Sequence, residues 1–445
     1  MSQGFTVKKS VVVLLLALAV IVLLSPAIVG RIAEQSMDDN LDWAATESQE
    51  VVVTSQGFER GWFSSEGQHR VEVQHGELQD ILLALANSQD PTDIPALIID
   101  THLDHGLIPV ASMARDEGTL LPGLGSAVST LSVELASGEV VPLPGTIYSD
   151  VSLTGALQSK LVLDAGAHEF EEADTVWGDT TISITSNPST GILSFDGQVG
   201  SLALAADSDF VEFDDMSFAG ELRKSRFGFS VGDADFTMQS MELQGVAQDV
   251  VSFGPLSIDT TSAIDGDRVS GRTTVRLEDM PFADLGRAGI AADISVVAAD
   301  GAALGKIVDA FDAMQSGGSP DDFMFVVQDD LQRLFSQGFE LRVDQLDVAL
   351  SQGAFASKFR FVIDETDADR FSWPAVLLAL DASAELSMPA ELVDYLTTMD
   401  PQMHAAIAGG FLRKSGDAYE MKAAFENGLL TVNGAPMPLP IPGLR

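Results

Sequence analysis

Cysteine is absent from this 445-residue chain, which excludes disulfides, thiolate zinc sites and cysteine nucleophiles together. Histidine is scarce, at six residues, so imidazole bases are few. Basic residues number 24 against 66 acids, a formal net charge of −42. Such a surface repels nucleic acid and anionic headgroups, and no nucleic-acid partner is expected. The sequence has no fixed-period repeat of the kind that marks a solenoid or propeller. What it does have is 46% hydrophobic residues, enough for a large core. Without disulfides, stability must come from packing and sheet hydrogen bonds.

Long apolar runs are also missing, with one exception. Val11 to Val29 is uncharged over about 19 residues, close to the roughly 20 that span a hydrocarbon core as a helix. Lys8 and Lys9 precede it, while Glu34, Asp38 and Asp39 follow. The positive-inside rule then places residues 1–9 in the cytoplasm, an anchor at 10–30 in the membrane, and the body outside. The rival reading is a cleaved signal peptide with Ser25-Pro26-Ala27 as its small-x-small site. Either way the body is exported. Residues 31–49 read as a linker.

From residue 50 to 434 the chain reads as mainly β with a few helices. The expected fold is α+β: a transmembrane helix followed by an elongated, curved antiparallel sheet with packed helices. The opening stretch predicts a strand, a turn at Gln56-Gly57, an aromatic turn segment and a second strand holding Val71 and Val73. Ala96 to His105 is a buried strand. Between Thr130 and Leu277, short alternating runs such as KLVLD, TTISITS and RVSGRTTVRLED recur between Gly, Asp, Asn and Pro. That period of two predicts successive antiparallel hairpins. Helical spacing takes over at Gly301–Gln315 and Pro320–Gln337, an insertion at about 302–337. Strands return at Phe339–Leu350 and Ala354–Ile363, joined near Gln352-Gly353. An apolar segment, Val376–Met388, precedes a helix from Pro389 to about Phe411. Asn427-Gly428 between alternating runs predicts a type I′ hairpin turn. The proline-rich tail, 435–445, suits an edge and not a central strand.

The sites that invite chemistry are weak. His102 and His105, with Asp104 and His75, suggest a metal, but residues three apart on a strand point to opposite faces. Asp364, Asp367 and Asp369 lack the glycine and distal glutamate of a calcium loop, and read as a solvated hairpin tip. GAALGK at Gly301–Lys306 is one residue short of a phosphate loop and has Ile307 where magnesium needs a hydroxyl, so it reads as a helix start. No metal and no cofactor is expected, and no catalytic residue stands out.

Three motifs remain: Arg60-Gly61-Trp62-Phe63-Ser64-Ser65; Asp104-His105-Gly106; and Asn427-Gly428 followed by Asn433-Gly434. In this order, with the basic start and the apolar run, the chain resembles the bacterial YdgA family. The resemblance implies an inner-membrane protein of Gram-negative bacteria with a periplasmic body, in a domain whose function is unknown. In layout the chain is also similar to AsmA-like envelope proteins, which are anchored, β-rich and implicated in lipid handling. Physically the motifs read as turn-forming devices built on glycine, with aromatic rings plugging a sheet end.

The expectation is a non-enzymatic single-pass protein of the cell envelope whose sheet offers an apolar face to lipid or another hydrophobic ligand. The alternative is a scaffold, a homodimer or a docking module for another envelope protein, acting through a sheet edge or the helices at 302–337. An exported hydrolase is the third reading.

Overall fold

The computed structural model describes residues 51–60, 64–73, 79, 90, 94–105, 123–135, 137–152, 154–170, 173–187, 189–206, 209–244, 250–282, 286–315, 323, 325–351, 353–366, 372–399 and 401–437. The apolar run at 11–29, the linker and the brief element expected at 78–87 lie outside them, residue 79 apart. No helix among the described residues is long and apolar enough to cross a membrane. What they form is a large open antiparallel sheet of many strands, 24 among the described residues, with five helices. The chain divides into two compact units.

Unit 1 holds β1 (Val51–Arg60), β2 (Ser64–Val73), β3 (Ala96–His105), β4 (Gly123–Glu134), β5 (Val140–Ser152), β6 (Leu157–Leu163), β7 (Gly166–Phe170), β8 (Ala173–Trp177), β9 (Thr180–Asn187), β10 (Ile192–Val199), β11 (Leu202–Ala206) and β12 (Asp209–Lys224). β1 to β6 pair in chain order, and β9, β10 and β12 continue the sheet beyond β6. Period-two burial is plain in β6, where Leu157, Leu161 and Leu163 are buried and Gln158 is exposed. The buried face builds one core: Val71, Val73, Leu97, Ile99, Leu131, Val133, Leu143, Leu161, Ile182 and Ile184. Each such side chain contributes about 1.5–3 kcal/mol of burial.

A crease crosses this unit. β6 and β7, β8 and β9, and β10 and β11 are each one run of strand interrupted at the same level, at 164–165, 178–179 and 200–201, opposite Asp215 in its left-handed conformation (φ 42°) on β12. Small residues make it possible. A Cβ on Gly178 would lie 2.8 Å from the Ser201 nitrogen, and one on Gly200 would lie 3.0 Å from Gly178 Cα. Across the crease Gly178 N donates to Ser201 O (2.6 Å), and Ala165 N donates to Asp179 Oδ1 (2.7 Å).

β13 (Ser230–Gln244) has its first residues, through Asp235, in unit 2 and the remainder in unit 1. Unit 2 then runs, Val251 and Gln315 apart, through β14 (Val251–Phe253), β15 (Leu256–Asp265), β16 (Arg268–Pro281), β17 (Arg287–Asp300), α1 (Gly301–Gln315), α2 (Gln328–Gln337), β18 (Phe339–Leu350), β19 (Gly353–Ile363), α3 (Trp373–Ala379), β20 (Leu380–Pro389), α4 (Ala390–Met399), α5 (Pro401–Ala408), β21 (Arg413–Ser415), β22 (Ala418–Glu426), β23 (Leu429–Val432) and β24 (Ala435–Met437). The strands β15 to β20 pair in chain order, then β22, β23 and β24.

Helix ends are capped by identifiable groups. Asp300, 3% exposed, accepts from Ala303 N (2.9 Å) at the start of α1 and meets Arg333 Nε of α2 at 2.9 Å. The Arg268 guanidinium donates to the carbonyls of Gln337 (2.7 Å), Gly338 (3.1 Å) and Ala298 (3.2 Å), placing positive charge at the C-terminal end of α2 where the helix dipole favours it. The glycines of GAALGK have a packing role: a Cβ on Gly301 would sit 2.3 Å from the Phe227 ring, and one on Gly305 would sit 2.3 Å from the Phe227 carbonyl. They seat the helix on the turn at Ser225–Phe229.

Three expectations need correction. Gln56-Gly57 is a bulge within β1, with register shifting between Ser55 and Gly57, and the strand continues to Arg60. Val376–Met388 divides into the end of α3 and the strand β20, so the loop at Asp364 joins a strand to a helix and is no hairpin tip. The helix expected from Pro389 is two helices meeting at Pro401, whose ring and missing N–H interrupt an α-helix.

Candidate functional site

The first two motifs meet in unit 1. Arg60 pairs with Ser65 across β1 and β2, Ser64 pairs with Asp104 across β2 and β3, and His105 pairs with Gly125 on β4. Gly61, Trp62, Phe63 and Gly106 lie outside the described residues, as do the side chains of Arg60, Ser64, Ser65, Asp104 and His105. Just inside this corner is an open cleft of about 500 Å³, lined by Gly57, Glu66, Gln68, Asp100, His102, Val128 and Thr130. Its depth beside β1 follows from the bulge and from two glycines, Gly57 and Gly67, that present no side chain. Gln68 Nε2 donates to Asp100 Oδ1 (2.7 Å), and His102 Nδ1 stands 3.6 Å from Glu66 Oε1. Glu66 and His102 are largely solvated. Among the described residues no three His, Asp or Glu side chains are placed to hold a metal ion. On the opposite face of β2, His69 is 7% exposed and its Nδ1 has no hydrogen-bond partner. Burial lowers its pKa from the ordinary 6.5, against a smaller opposing pull from Asp100.

The third motif, in unit 2, is structural down to its atoms. Glu426 pairs with Leu429 around Asn427 (φ 52°) and Gly428 (φ 77°), the two positive φ values that a type I′ turn requires. Asn433 (φ 51°) and Gly434 (φ 76°) repeat the device, joining β23 to β24. Every polar group of Asn433 is engaged. Its Nδ2 donates to Gly410 O (2.9 Å) and Phe411 O (3.0 Å), Oδ1 accepts from Lys422 N (2.9 Å), its N–H donates to Lys422 O (2.6 Å), and its carbonyl accepts from Arg413 (3.1 Å). The residue ties the end of α5 to β22.

The sheet of unit 2 has one apolar and one charged face. Cross-strand rows on the apolar face run Val275, Ala292, Leu346 and then Thr273, Ile294, Val343, Phe359, Ala384. Helices cover its two ends. At one, α1 and α2 bury Ala299, Ala303 and Leu334 with Val296, Ile307 and Phe339. At the other, α4 and α5 bury Met388, Val393 and Leu412 with Phe355, Leu386, Met403 and Tyr419. Between them Ile294 is 41% and Leu346 is 37% exposed, and Val343, Phe359 and Phe361 are half-buried. Phe361 lies 5.9 Å from Phe339 and 6.4 Å from Phe359, ring centre to ring centre, so an aromatic row leads from α2 into the uncovered strip.

On the charged face Arg272 pairs bidentately with Asp293, its Nε 2.8 Å from Oδ1. That hydrogen bond holds the buried Asp293 carboxyl below the usual range, against its own desolvation. Arg360 Nε donates to Glu340 Oε1 at 2.8 Å.

The model of a family of bacterial proteins of unknown function (DUF945) matches residues 7–440. The chain belongs to that family. No curated protein and no solved structure matches it.

For this DUF945 protein, the sequence motifs therefore divide in two. Asn427, Gly428, Asn433 and Gly434 build turns, while the described members of the other two motifs, Arg60, Ser64, Ser65, Asp104 and His105, lie on paired strands beside a cleft. The uncovered strip was missed at the level of residues. Its only signal was the alternation in Phe339–Leu350 and Gly353–Ile363, which any half-buried strand carries.

Proposed function

We propose that this protein is a non-enzymatic, membrane-anchored component of the bacterial envelope that holds an acyl chain or similar apolar ligand along the sheet of unit 2. The single observation that carries the reading is the strip of Ile294, Val343, Leu346 and Phe359, left half-exposed between two helix-covered ends of one apolar face. Water against such a strip is unfavourable by about 25 cal/mol per Å², which an apolar ligand recovers. The anchor is the Val11–Val29 run oriented by Lys8 and Lys9, with the body in the periplasm and the inner membrane as neighbour, in keeping with the resemblance to the YdgA family. A photoreactive residue at Leu346 in the full chain, irradiated in cells, should yield a lipid-mass adduct. The same residue at Asp259, on the opposite face, should not. Absence of an adduct at 346, or equal adducts at both, overturns the reading. Alkaline phosphatase fused after Arg445 should be active and green fluorescent protein dark; the reverse result refutes the topology.

A second reading has its own observation. Phe325 is 82%, Val326 61% and Phe311 45% exposed around the helix pair of unit 2, a surface suited to docking a second copy or another envelope protein. A photoreactive residue at Phe325 that captures protein in place of lipid supports that role.

A further inference from the structure

We propose that the charged face of unit 2 carries a binding site for an oxyanion of the phosphate type, held by Ser295 and Arg342. Cross-strand register sets Arg272, Ser295, Arg342 and Arg360 in one row over β16, β17, β18 and β19. Three of the chain's 24 basic residues thus share one row in a protein with 66 acids. Arg342 lies directly opposite Arg360, an arrangement of like charges that destabilises a sheet unless anions intervene. The protein supplies two from the flanking rows. Asp293 is taken by Arg272, and Glu340 gives its short contact to Arg360. Arg342 is left with Glu340 at 3.7 Å, beyond hydrogen-bonding distance, and with the longer-range attraction of Asp293. Asp344, Asp381 and Asp364 act on Arg272 and Arg360 from farther out.

Two buried donors record the deficit. Arg342 Nε has no hydrogen-bond partner, and neither has the hydroxyl of Ser295, a residue 5% exposed. An unsatisfied buried donor costs about 1–3 kcal/mol, so each calls for an acceptor, whether an ordered water or an anion. Guanidinium Nε can only donate and a hydroxyl can donate, so the missing group is an acceptor. A water would satisfy hydrogen bonds and leave the arginines repelling each other. A tetrahedral oxyanion does both, with one oxygen between Ser295 and Arg342 and others toward the outer guanidinium groups, the geometry that arginine favours for phosphate. The source of the phosphate, free or as a lipid headgroup, is the same chemistry at this site.

The test uses the full chain in nanodiscs of zwitterionic lipid, titrated calorimetrically with inorganic phosphate against chloride at constant ionic strength. Wild type and the control Arg287→Gln, whose arginine pairs with Asp279 away from the row, should bind phosphate alike. Ser295→Ala and Arg342→Gln should each weaken binding about ten- to a hundredfold, and Arg342→Lys should restore only part of it. A second titration with short-chain phosphatidic acid separates sources: tighter binding than inorganic phosphate, still lost in Ser295→Ala, assigns a headgroup, and equal or weaker binding assigns free phosphate. Ser295→Ala keeps all charges and only removes a hydroxyl, so it decides the matter if Arg342→Gln fails to fold. Equal heats for phosphate and chloride in wild type, or unchanged phosphate affinity in Ser295→Ala, overturns the proposal.

Discussion

Asn433 separates two costs that are usually confounded, the loss of side-chain hydrogen bonds and the strain of a left-handed backbone. Asn433→Gly keeps φ at 51° without penalty but removes three side-chain bonds, to Gly410 O, Phe411 O and Lys422 N. At about 0.5–1.5 kcal/mol each, and with the partly exposed carbonyls recovering water, the expected cost is about 2 kcal/mol. Asn433→Ala loses the same bonds and adds about 1–2 kcal/mol for a Cβ in the left-handed region, so it should cost about 3–4 kcal/mol. Asn433→Asp keeps the acceptor for Lys422 N but turns a carboxylate toward two carbonyl oxygens, and should be at least as harmful as glycine. Because the chain divides into two compact units, a single melting curve need not report on one transition and is the wrong readout. Hydrogen exchange of peptides within 401–437 reports the local opening free energy, with peptides from β3 to β6 as internal control. If alanine and glycine cost the same, or if glycine costs under about 0.5 kcal/mol, then Asn433 does not hold α5 to β22 as described.

Gly305→Ala places a methyl 2.3 Å from the Phe227 carbonyl, so α1 must shift; the expected loss is about 1–3 kcal/mol, read as faster exchange in 301–315, and an unchanged rate would contradict the seat. Asp293 has a depressed folded pKa, so its stabilising effect is complete above the unfolded carboxyl value of about 3.9 and is lost as pH falls through the lower folded value. Hydrogen exchange of peptides from β16 to β18 in Asp293→Asn should therefore show less local stability than wild type at pH 7, with the gap closing toward the acid end; a constant gap would count against the linkage. His69 runs the other way, since its folded pKa lies below 6.5: the unfolded chain takes up the proton first, so stability falls as pH drops from 6.5 toward the folded value. A His69→Phe variant should lose that segment of the pH dependence in exchange of β2 and β3, and a curve parallel to wild type would refute it.

Local chemistry settled much of this protein in advance. The limits of α1, the strands Phe339–Leu350 and Ala96–His105 and the turn at Asn427-Gly428 all rest on periodicity or on residues whose backbone preferences are their own. Turns and bulges draw on the same residues, so Gln56-Gly57 could be told apart only once Ser55 and Gly57 had partners on β2. Val376–Met388 held both a helix end and a strand because short apolar runs fit either, and the neighbours β19 and β22 decided. The arginine row joins residues as far apart as Arg272 and Arg360, a meeting that only register creates. Alternation along a strand shows that one face is apolar; whether a helix lies on that face is decided by chain that returns from elsewhere, as α2 and α4 do at the two ends of unit 2, whereas among the described residues no helix packs on Ile294 and Leu346.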